Sequence, residues 1–517
     1  MTTKTKKFLQ RVPLDVARAE VVALAGRTDA ESVDVEGSLG RITSAPVSAR
    51  FASPHYRASA MDGIAVRARD TEGAQGSTPV ILEAIDGGDD PVVGRRVCAP
   101  VDTGNPMPAW ADAVIRVEDT RTTERGFEIR APVIVGRDVR AIGEDVAAGS
   151  VLFGRGHRVR PYDIGAMLAT GVGSVDVMRP PTVAVLATGG EVVEPGGDPE
   201  PGQVIEYNAR MMAGFVAQWG GEHVYLGRVA DERPALEKAI RAAAAAHDVV
   251  CVIAGSSAGR KDFTVDVLAG CGRLLLHGVD MMPGKPVAIA EIDGKPVIGV
   301  PGYPVSAVMV YRELLQPLLA TCLGTAPATP VNVAAHVRRA IPSRLGVEEL
   351  LRVCLAADDE GLVVALLPRG AGSITTLVRA DAILRIPATS EGIAAGQAVS
   401  VELLTSDTPP GSTVVVSGPP DALGAQLEDR LRSAGTVARF AYLGLADHDA
   451  VTAIAAGEAH IAILSIESAA DLAAVITDRL PGARRHEIDS TTLLLSAPFT
   501  RTPNGIALEA LLERPTS

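Results

Sequence analysis

Aromatic residues make up only 3% of the 517 residues, and cysteine occurs five times. The thiols stand alone at Cys98, Cys251, Cys271, Cys322 and Cys354, with no CxxC pair. That argues against a disulfide framework and against a zinc site of the usual spacing. Cys251 falls inside an apolar run and reads as a packing residue. No apolar run approaches the roughly 20 residues a membrane helix needs. The start, Met1 to Phe8, is basic, but no long apolar core or cleavage pattern follows it. Val21 to Ala25 is far too short for a signal segment, so the expected location is cytoplasmic. Positive charge is also in deficit: 49 Lys and Arg stand against 62 Asp and Glu, a net charge of -13. Nucleic acid and anionic membranes do not attract such a protein, so neither is an expected partner. A small anionic substrate remains open, because only local charge matters to it.

The length calls for several domains, each with ample core. Apolar residues make up 47%, and the 52 glycines and 35 prolines read as turns within globular structure. The most informative stretch is Asp248 to Ala307. An apolar run, Val249 to Ile253, breaks into Ala254-Gly255-Ser256-Ser257-Ala258-Gly259-Arg260-Lys261-Asp262-Phe263-Thr264 before a helical pattern resumes. Strand, Gly/Ser loop and helix present backbone N–H groups and small hydroxyls to an anion, without Cβ bulk. Met282-Pro283-Gly284-Lys285-Pro286 then leads to a second apolar strand, Pro296 to Val300, which ends in Pro301-Gly302-Tyr303-Pro304-Val305-Ser306-Ala307. Two Gly/Pro-shaped loops at strand ends suit an open α/β sheet, where ligands bind outside the carboxyl ends of strands.

The GSSAGRKDFT, MPGKP and PGYPVSA runs, in that order and spacing, resemble the molybdopterin molybdenumtransferases (the MoeA and gephyrin E-domain family), which insert molybdate into molybdopterin. Other runs are similar to family signatures. Ala60-Met61-Asp62-Gly63-Ile64-Ala65-Val66 resembles SAMDGYA, and Asp62 is then an acid of the active-site cleft. Val101 to Pro108 resembles the TGAMMP loop, with Thr103 as the contact. Gly143-Glu144-Asp145-Val146 resembles GEDI, carrying Asp145. Thr188-Gly189-Gly190-Glu191 resembles TGDEL, with Gly190 in place of the usual aspartate and Glu191 as a further acid. Arg369 to Thr376 resembles GSGMLSSL, with threonines where serine is usual. Read without the resemblance, each acid is an ordinary turn or capping carboxylate, and Asp262 would cap the following helix.

The resemblance implies a multidomain α/β and β fold. An elongated N-terminal domain (1–50 and 146–180) holds an inserted β-rich domain (51–145). A molybdopterin-binding α/β domain with a parallel-type sheet (181–327), a small β-barrel (328–407) and a short α/β tail (408–517) follow. Strand and helix periodicity along the chain agrees with that division. The tail resembles a periplasmic-binding-protein-like domain found in one subfamily, and at about 110 residues it is shorter than a two-lobed module. The implied reaction is insertion of molybdate into adenylylated molybdopterin with release of AMP. Asp62, Glu191, Asp262 and Lys285 are then catalytic, and Asp62, Asp145, Glu191 and Asp262 ligate Mg²⁺, which takes few carboxylates and completes its shell with water and phosphate oxygens. Substrate contacts are implied at Thr103, Gly255, Ser256, Ser257, Gly259, Thr264, Pro301, Gly302, Pro304, Ser306, Arg352, Ser373 and Thr375. Lys285 is the cation beside phosphate or molybdate. The working unit is a homodimer whose clefts are shared between subunits, and the molybdopterin adenylyltransferase is an implied partner. Met282 stands where the family usually has a basic residue, so one oxyanion contact is absent, and Arg260, Lys261 and Arg352 are the substitutes to consider. Two other readings stay open: a non-catalytic molybdopterin or molybdate carrier or sensor, and a molybdopterin adenylyltransferase.

Overall fold

The computed structural model describes residues 11–86, 88–89, 94–254, 264–358, 360–404, 409–418, 422–488 and 490–513. The chain divides into two compact units, one of residues 28–180 with 323–325, the other of 1–27, 181–322 and 326–517.

In the first unit the strand Ala30–Asp34 pairs antiparallel with Ser174–Met178. A six-stranded sheet runs in the order Ala113–Arg116, Gly63–Val66, Val97–Val101, Val80–Ala84, Gly126–Ile129, Thr120–Thr123. Its core is Ile64, Val66, Leu82, Cys98, Ala113 and Ile129. Gly63 is required by close backbone approach, since a Cβ there would lie 2.0 Å from the Ile115 carbonyl oxygen. Helix Pro161–Ala169 starts where the Asp163 carboxylate accepts the Arg160 backbone N–H at 2.8 Å.

The second unit centres on a six-stranded sheet in the order Glu222–Val229, Thr182–Thr188, Val249–Ala254, Lys295–Pro301, Ala288–Ile292, Arg273–His277. The first four strands are parallel, and Ala288–Ile292 runs antiparallel to its neighbours on both sides. Both faces are covered, so the strands are near-continuous apolar runs split by the period of two. Val183, Val185, Val249, Cys251 and Ile253 face helices Leu14–Ala23, Asn208–Gln218 and Pro304–Val310. Ala184, Leu186, Val250 and Val252 face Arg233–Ala246 and Thr264–Cys271. The helical run after Pro304 loosens into a π-turn at Tyr311–Leu315 before continuing as Gln316–Cys322. Pro317 has no N–H to give the Glu313 carbonyl four residues back. Arg18 Nε, from the first helix, donates to that carbonyl at 3.2 Å, and Arg18 Nη2 pairs with the Glu313 carboxylate at 2.5 Å.

Beyond Pro330 the chain forms a barrel. Glu348–Asp358 pairs with both Gly361–Leu366 and Ala382–Ile386, and this closes the circuit through Asn332–Val337 and Ala398–Leu403. The tail is an α/β layer with sheet order Arg439–Tyr442, Thr413–Ser417, Ile461–Ser465, Thr491–Leu495, Arg484–Ile488. The first three strands are parallel and the last two are joined antiparallel. One tail face carries helices Ala422–Ser433 and Pro503–Leu512. The other shares a core with the outside of the barrel, where Cys354, Ala356, Val363 and Ala365 meet Val415, Ala441, Ala462 and Leu464. Glu458 pairs with Arg339, and His460 Nε2 donates to the Ala357 carbonyl at 3.2 Å. Barrel and tail therefore share one apolar interior.

Candidate functional site

At the carboxyl edge of the central sheet the chain leaves three neighbouring parallel strands. Thr182–Thr188 runs into Gly189, whose φ of +130° suits only glycine, and then Glu191. Val249–Ala254 ends beside it, and Lys295–Pro301 passes through Gly302 into helix Pro304–Val310. A cavity of about 370 Å³ opens there, within the range of small-molecule sites. Glu191, Gly302 and Pro304 line it, together with Glu206, Tyr207, Asn208, Tyr303 and Gly372.

The stretch Glu206-Tyr207-Asn208 was not singled out from sequence, where it reads as an ordinary helix start. The Glu206 carboxylate caps helix Asn208–Gln218 by accepting the Ala209 N–H at 2.8 Å and also pairs with Arg210, which reaches on to Glu194. Asn208 Nδ2 donates to the Gly302 carbonyl at 2.7 Å, while its buried Oδ1 has no hydrogen-bond partner among the described residues. Burial, with Glu206 adding to it, pushes the Tyr207 phenol up, so it stays a neutral hydroxyl at any physiological pH.

The barrel contributes the loop from Pro368 to Thr376. The Val305 N–H donates to the Ala371 carbonyl at 3.0 Å, tying the loop to the start of helix Pro304–Val310. Ser373 and Thr375 are exposed on it. Arg352 requires a correction. It was expected to touch substrate, but it is 1% exposed. Its Nε donates to Thr376 Oγ1 at 3.2 Å, and its Nη2 to the Pro368 and Gly370 carbonyls at 2.6 and 3.2 Å. Burial lowers its pKa to about 10, which still leaves it charged. Arg352 holds the loop in shape and is not the missing oxyanion contact. Met282 forms, with the wholly buried Met281, a short strand on Glu348 and Glu349.

Lys285 follows in the next turn. Ala288 pairs with Gly299, so this turn leaves the sheet on the edge where Lys295–Pro301 ends. Lys285 is half-buried with no carboxylate partner among the described residues. Pro301, Ser306 and Thr264 are buried, the first closing its strand and the others in the opening turns of helices.

In the other unit, Asp62 and Thr103 are brought together. Asp62 Oδ1 accepts the Thr103 N–H at 2.6 Å and its hydroxyl at 2.7 Å. Those bonds, the backbone one foremost, lower the carboxyl's pKa and keep it ionised. Asp145 is exposed, and its N–H donates to the Ser53 carbonyl at 3.1 Å. Gly255, Ser256, Ser257, Gly259 and Asp262, with Arg260 and Lys261, lie outside the described residues. Among the described residues no group of three or more His, Cys, Asp or Glu side chains could hold a metal ion. No described helix is long and apolar enough to cross a membrane.

Three family profiles match the chain in order: "MoeA N-terminal region (domain I and II)" over residues 12–171, "Probable molybdopterin binding domain" over 184–321 and "MoeA C-terminal region (domain IV)" over 334–404. Molybdopterin molybdenumtransferase 2 of Mycobacterium tuberculosis is 30% identical over 389 residues, 72% of this chain and 95% of the relative. The molybdopterin molybdenumtransferase of Bacillus subtilis is 29% identical over 410 residues, 77% and 95% of the two chains. Among solved structures, the molybdopterin biosynthesis moea protein from Pyrococcus horikosii superposes with a TM-score of 0.68 at 32% identity, over 77% of this chain and 100% of that one. With three profiles matched in order along the chain and these relatives covered over nearly their whole length, the chain belongs to the MoeA family.

Proposed function

We propose that this protein is a molybdopterin molybdenumtransferase of molybdenum cofactor biosynthesis. It takes adenylylated molybdopterin and molybdate and leaves molybdenum on the dithiolene sulfurs, with AMP released as water adds across the adenylate bond. The observation that carries the reading is the cavity at the carboxyl edge of the central sheet, bounded by Glu191 and the Gly302 turn, in a chain aligned with relatives named for this activity. The carrier and adenylyltransferase readings would not produce molybdate-dependent AMP release.

Lys285, half-buried and without a carboxylate partner among the described residues, is the cation assigned to the phosphate or molybdate oxyanion. Asp62, held ionised by Thr103, is assigned to the same cleft with Glu191 and Asp262. Mg²⁺ is the proposed metal, with Asp62, Asp145, Glu191 and Asp262 as its carboxylates. The working form is a homodimer in which Asp62 and Thr103 of one subunit face Asp262 and Lys285 of the other, in the cytoplasm. The domain division at residues 50, 145, 180, 327 and 407 belongs to the same proposal. So does the tail as a single lobe of a periplasmic-binding-protein-like module, which its mixed five-stranded sheet supports.

The test is AMP release from adenylylated molybdopterin by the full chain, with and without molybdate, over a Mg²⁺ titration, with the pterin product assayed for molybdenum. Molybdate-dependent release is expected, lowered at least tenfold in Asp62→Ala. Pterin bound with no AMP released at any molybdate concentration would refute the transferase reading, and an unaltered Asp62→Ala rate would refute that residue's role.

A further inference from the structure

The loop from Pro368 to Thr376 carries Gly372 to the cavity and continues into helix Thr375–Arg379. Five residues are far too few for a helix to stand alone, so whatever fixes this one also fixes the loop. At its start, Arg352 Nε donates to Thr376 Oγ1, which in turn donates to the Ser373 carbonyl at 2.7 Å. At its end the last carbonyls lack partners within the helix, and the tail supplies one. Arg439, which opens the strand Arg439–Tyr442, donates from Nη1 to the Val378 carbonyl and from Nη2 to the Arg379 carbonyl, both at 3.0 Å. Its positive charge suits the carboxyl end of a helix.

Arg439 is itself held. Its Nη2 pairs with Asp381, a buried barrel carboxylate that also accepts the Leu355 N–H and the Thr413 hydroxyl, both at 2.8 Å. Arg379 reciprocates, donating from Nη1 to the Tyr442 carbonyl at 3.3 Å. Packing grips the helix as well. Leu377 lies against the core of the central sheet, and Ala380, just past the helix end, is buried in the core that barrel and tail share. No described residue of the tail lines the cavity; the tail reaches the site through this helix.

Resting on the transferase reading, we propose that the tail is a working part of the site and that Arg439 is a positioning residue. By tying down the end of helix Thr375–Arg379 it keeps the Gly370 to Ser373 backbone, and the hydroxyls of Ser373 and Thr375, where substrate meets them. Once released, the loop has to be ordered each time substrate binds, and that conformational entropy is subtracted from affinity. The loss falls on substrate and transition state alike, so KM rises while kcat holds.

The experiment compares Arg439→Ala with Arg339→Ala in the full chain. Arg339 pairs with Glu458 across the same seam and makes no described bond to the helix, so it controls for a loosened tail. In molybdate-dependent AMP release, KM for adenylylated molybdopterin is expected to rise about tenfold in Arg439→Ala and to stay within about twofold in Arg339→Ala, with kcat little changed in either. Hydrogen exchange of the free proteins, read on peptides covering Gly370 to Thr376, should quicken in Arg439→Ala alone. Arg439→Lys keeps the charge without the fork, should raise KM about threefold, and carries the test should the alanine variant fail to fold. Unchanged KM or unchanged exchange in the Arg439 variants overturns the proposal. So does an equal rise of KM in Arg339→Ala, which would make the tail a source of stability only. Absence of AMP release from the natural protein would refute the transferase reading, and the exchange result would still decide whether Arg439 holds the loop.

Discussion

Lowering the pH should loosen the tail through one imidazole. His460 lies between barrel and tail, buried and stacked on Phe499 with ring centroids 4.8 Å apart. Its Nδ1 accepts the Val415 N–H at 3.0 Å, so Nε2 carries the only proton and donates it to the Ala357 carbonyl. A second proton would have to displace the Val415 bond at a buried ring. Burial accordingly lowers the folded pKa from 6.5 to about 4. The sign follows: below pH 6.5 the unfolded chain takes up a proton that the folded chain refuses, so stability falls between pH 6.5 and 4 and levels off beneath. At pH 5 this single group costs about 2 kcal/mol relative to pH 7.5. The assay is urea unfolding, followed by circular dichroism at steps from pH 7.5 to 5, on the natural protein and on His460→Asn. Asparagine offers an acceptor to the Val415 N–H but does not titrate. The variant should begin less stable, having lost the stacking and the Ala357 bond, and should then lose about 2 kcal/mol less than the natural protein across the range. Equal pH slopes in the two proteins would refute the reasoning.

Arg352→Ala removes three hydrogen bonds from a buried guanidinium and should cost about 3–5 kcal/mol in denaturant unfolding. Arg352→Lys, which can satisfy one carbonyl but not the fork, should restore less than half of that; a stable Arg352→Ala that binds substrate weakly would make the residue a ligand contact after all. Gly63→Ala places a Cβ 2.0 Å from the Ile115 carbonyl oxygen and should destabilise the inserted sheet by about 3 kcal/mol or more, which a thermal melt will read and an unchanged melt will contradict. Ending the chain at residue 408 uncovers Cys354, Ala356, Val363, Ala365, Leu367 and Ala380 on the barrel. The shortened protein should bind a hydrophobic dye and aggregate on size-exclusion chromatography; a monodisperse, dye-negative product would show that the barrel does not need the tail.

The alternation of strands and helices after Pro181 was legible because Val249–Ala254 and Lys295–Pro301 are apolar runs bounded by Gly and Pro, and because Arg233–Ala246 carries a helical period. The antiparallel Ala288–Ile292 was not. Its run, Ala-Ile-Ala-Glu-Ile, has nothing to fix strand direction, which depends on pairing across the turn at Asp293 and Gly294. Asp62 and Thr103 were readable only as signatures, and the bonds joining them are a product of folding across 41 positions. Arg352 was named as a substrate contact through the resemblance alone, and its run, Glu349-Leu350-Leu351-Arg352-Val353, gives no sign of where the guanidinium goes. The strand is buried over most of its length, and loop carbonyls, invisible in sequence, receive the guanidinium. Asn208 gave no signal for a similar reason, since its orphan acceptor is fixed by a carbonyl 94 positions away.

The bond from Arg18 to the Glu313 carbonyl spans 295 positions, and that separation matters during synthesis. At about 5–20 residues per second, a ribosome needs on the order of 15–60 s to travel from one partner to the other. Helix Leu14–Ala23 therefore leaves the exit tunnel long before the core that buries Leu14, Ala17 and Val21 exists, while residues 28–180 can complete their own compact unit in the interval. Throughout that wait the first apolar face made is a natural client for a chaperone, and the last helix of the central layer decides when it is released.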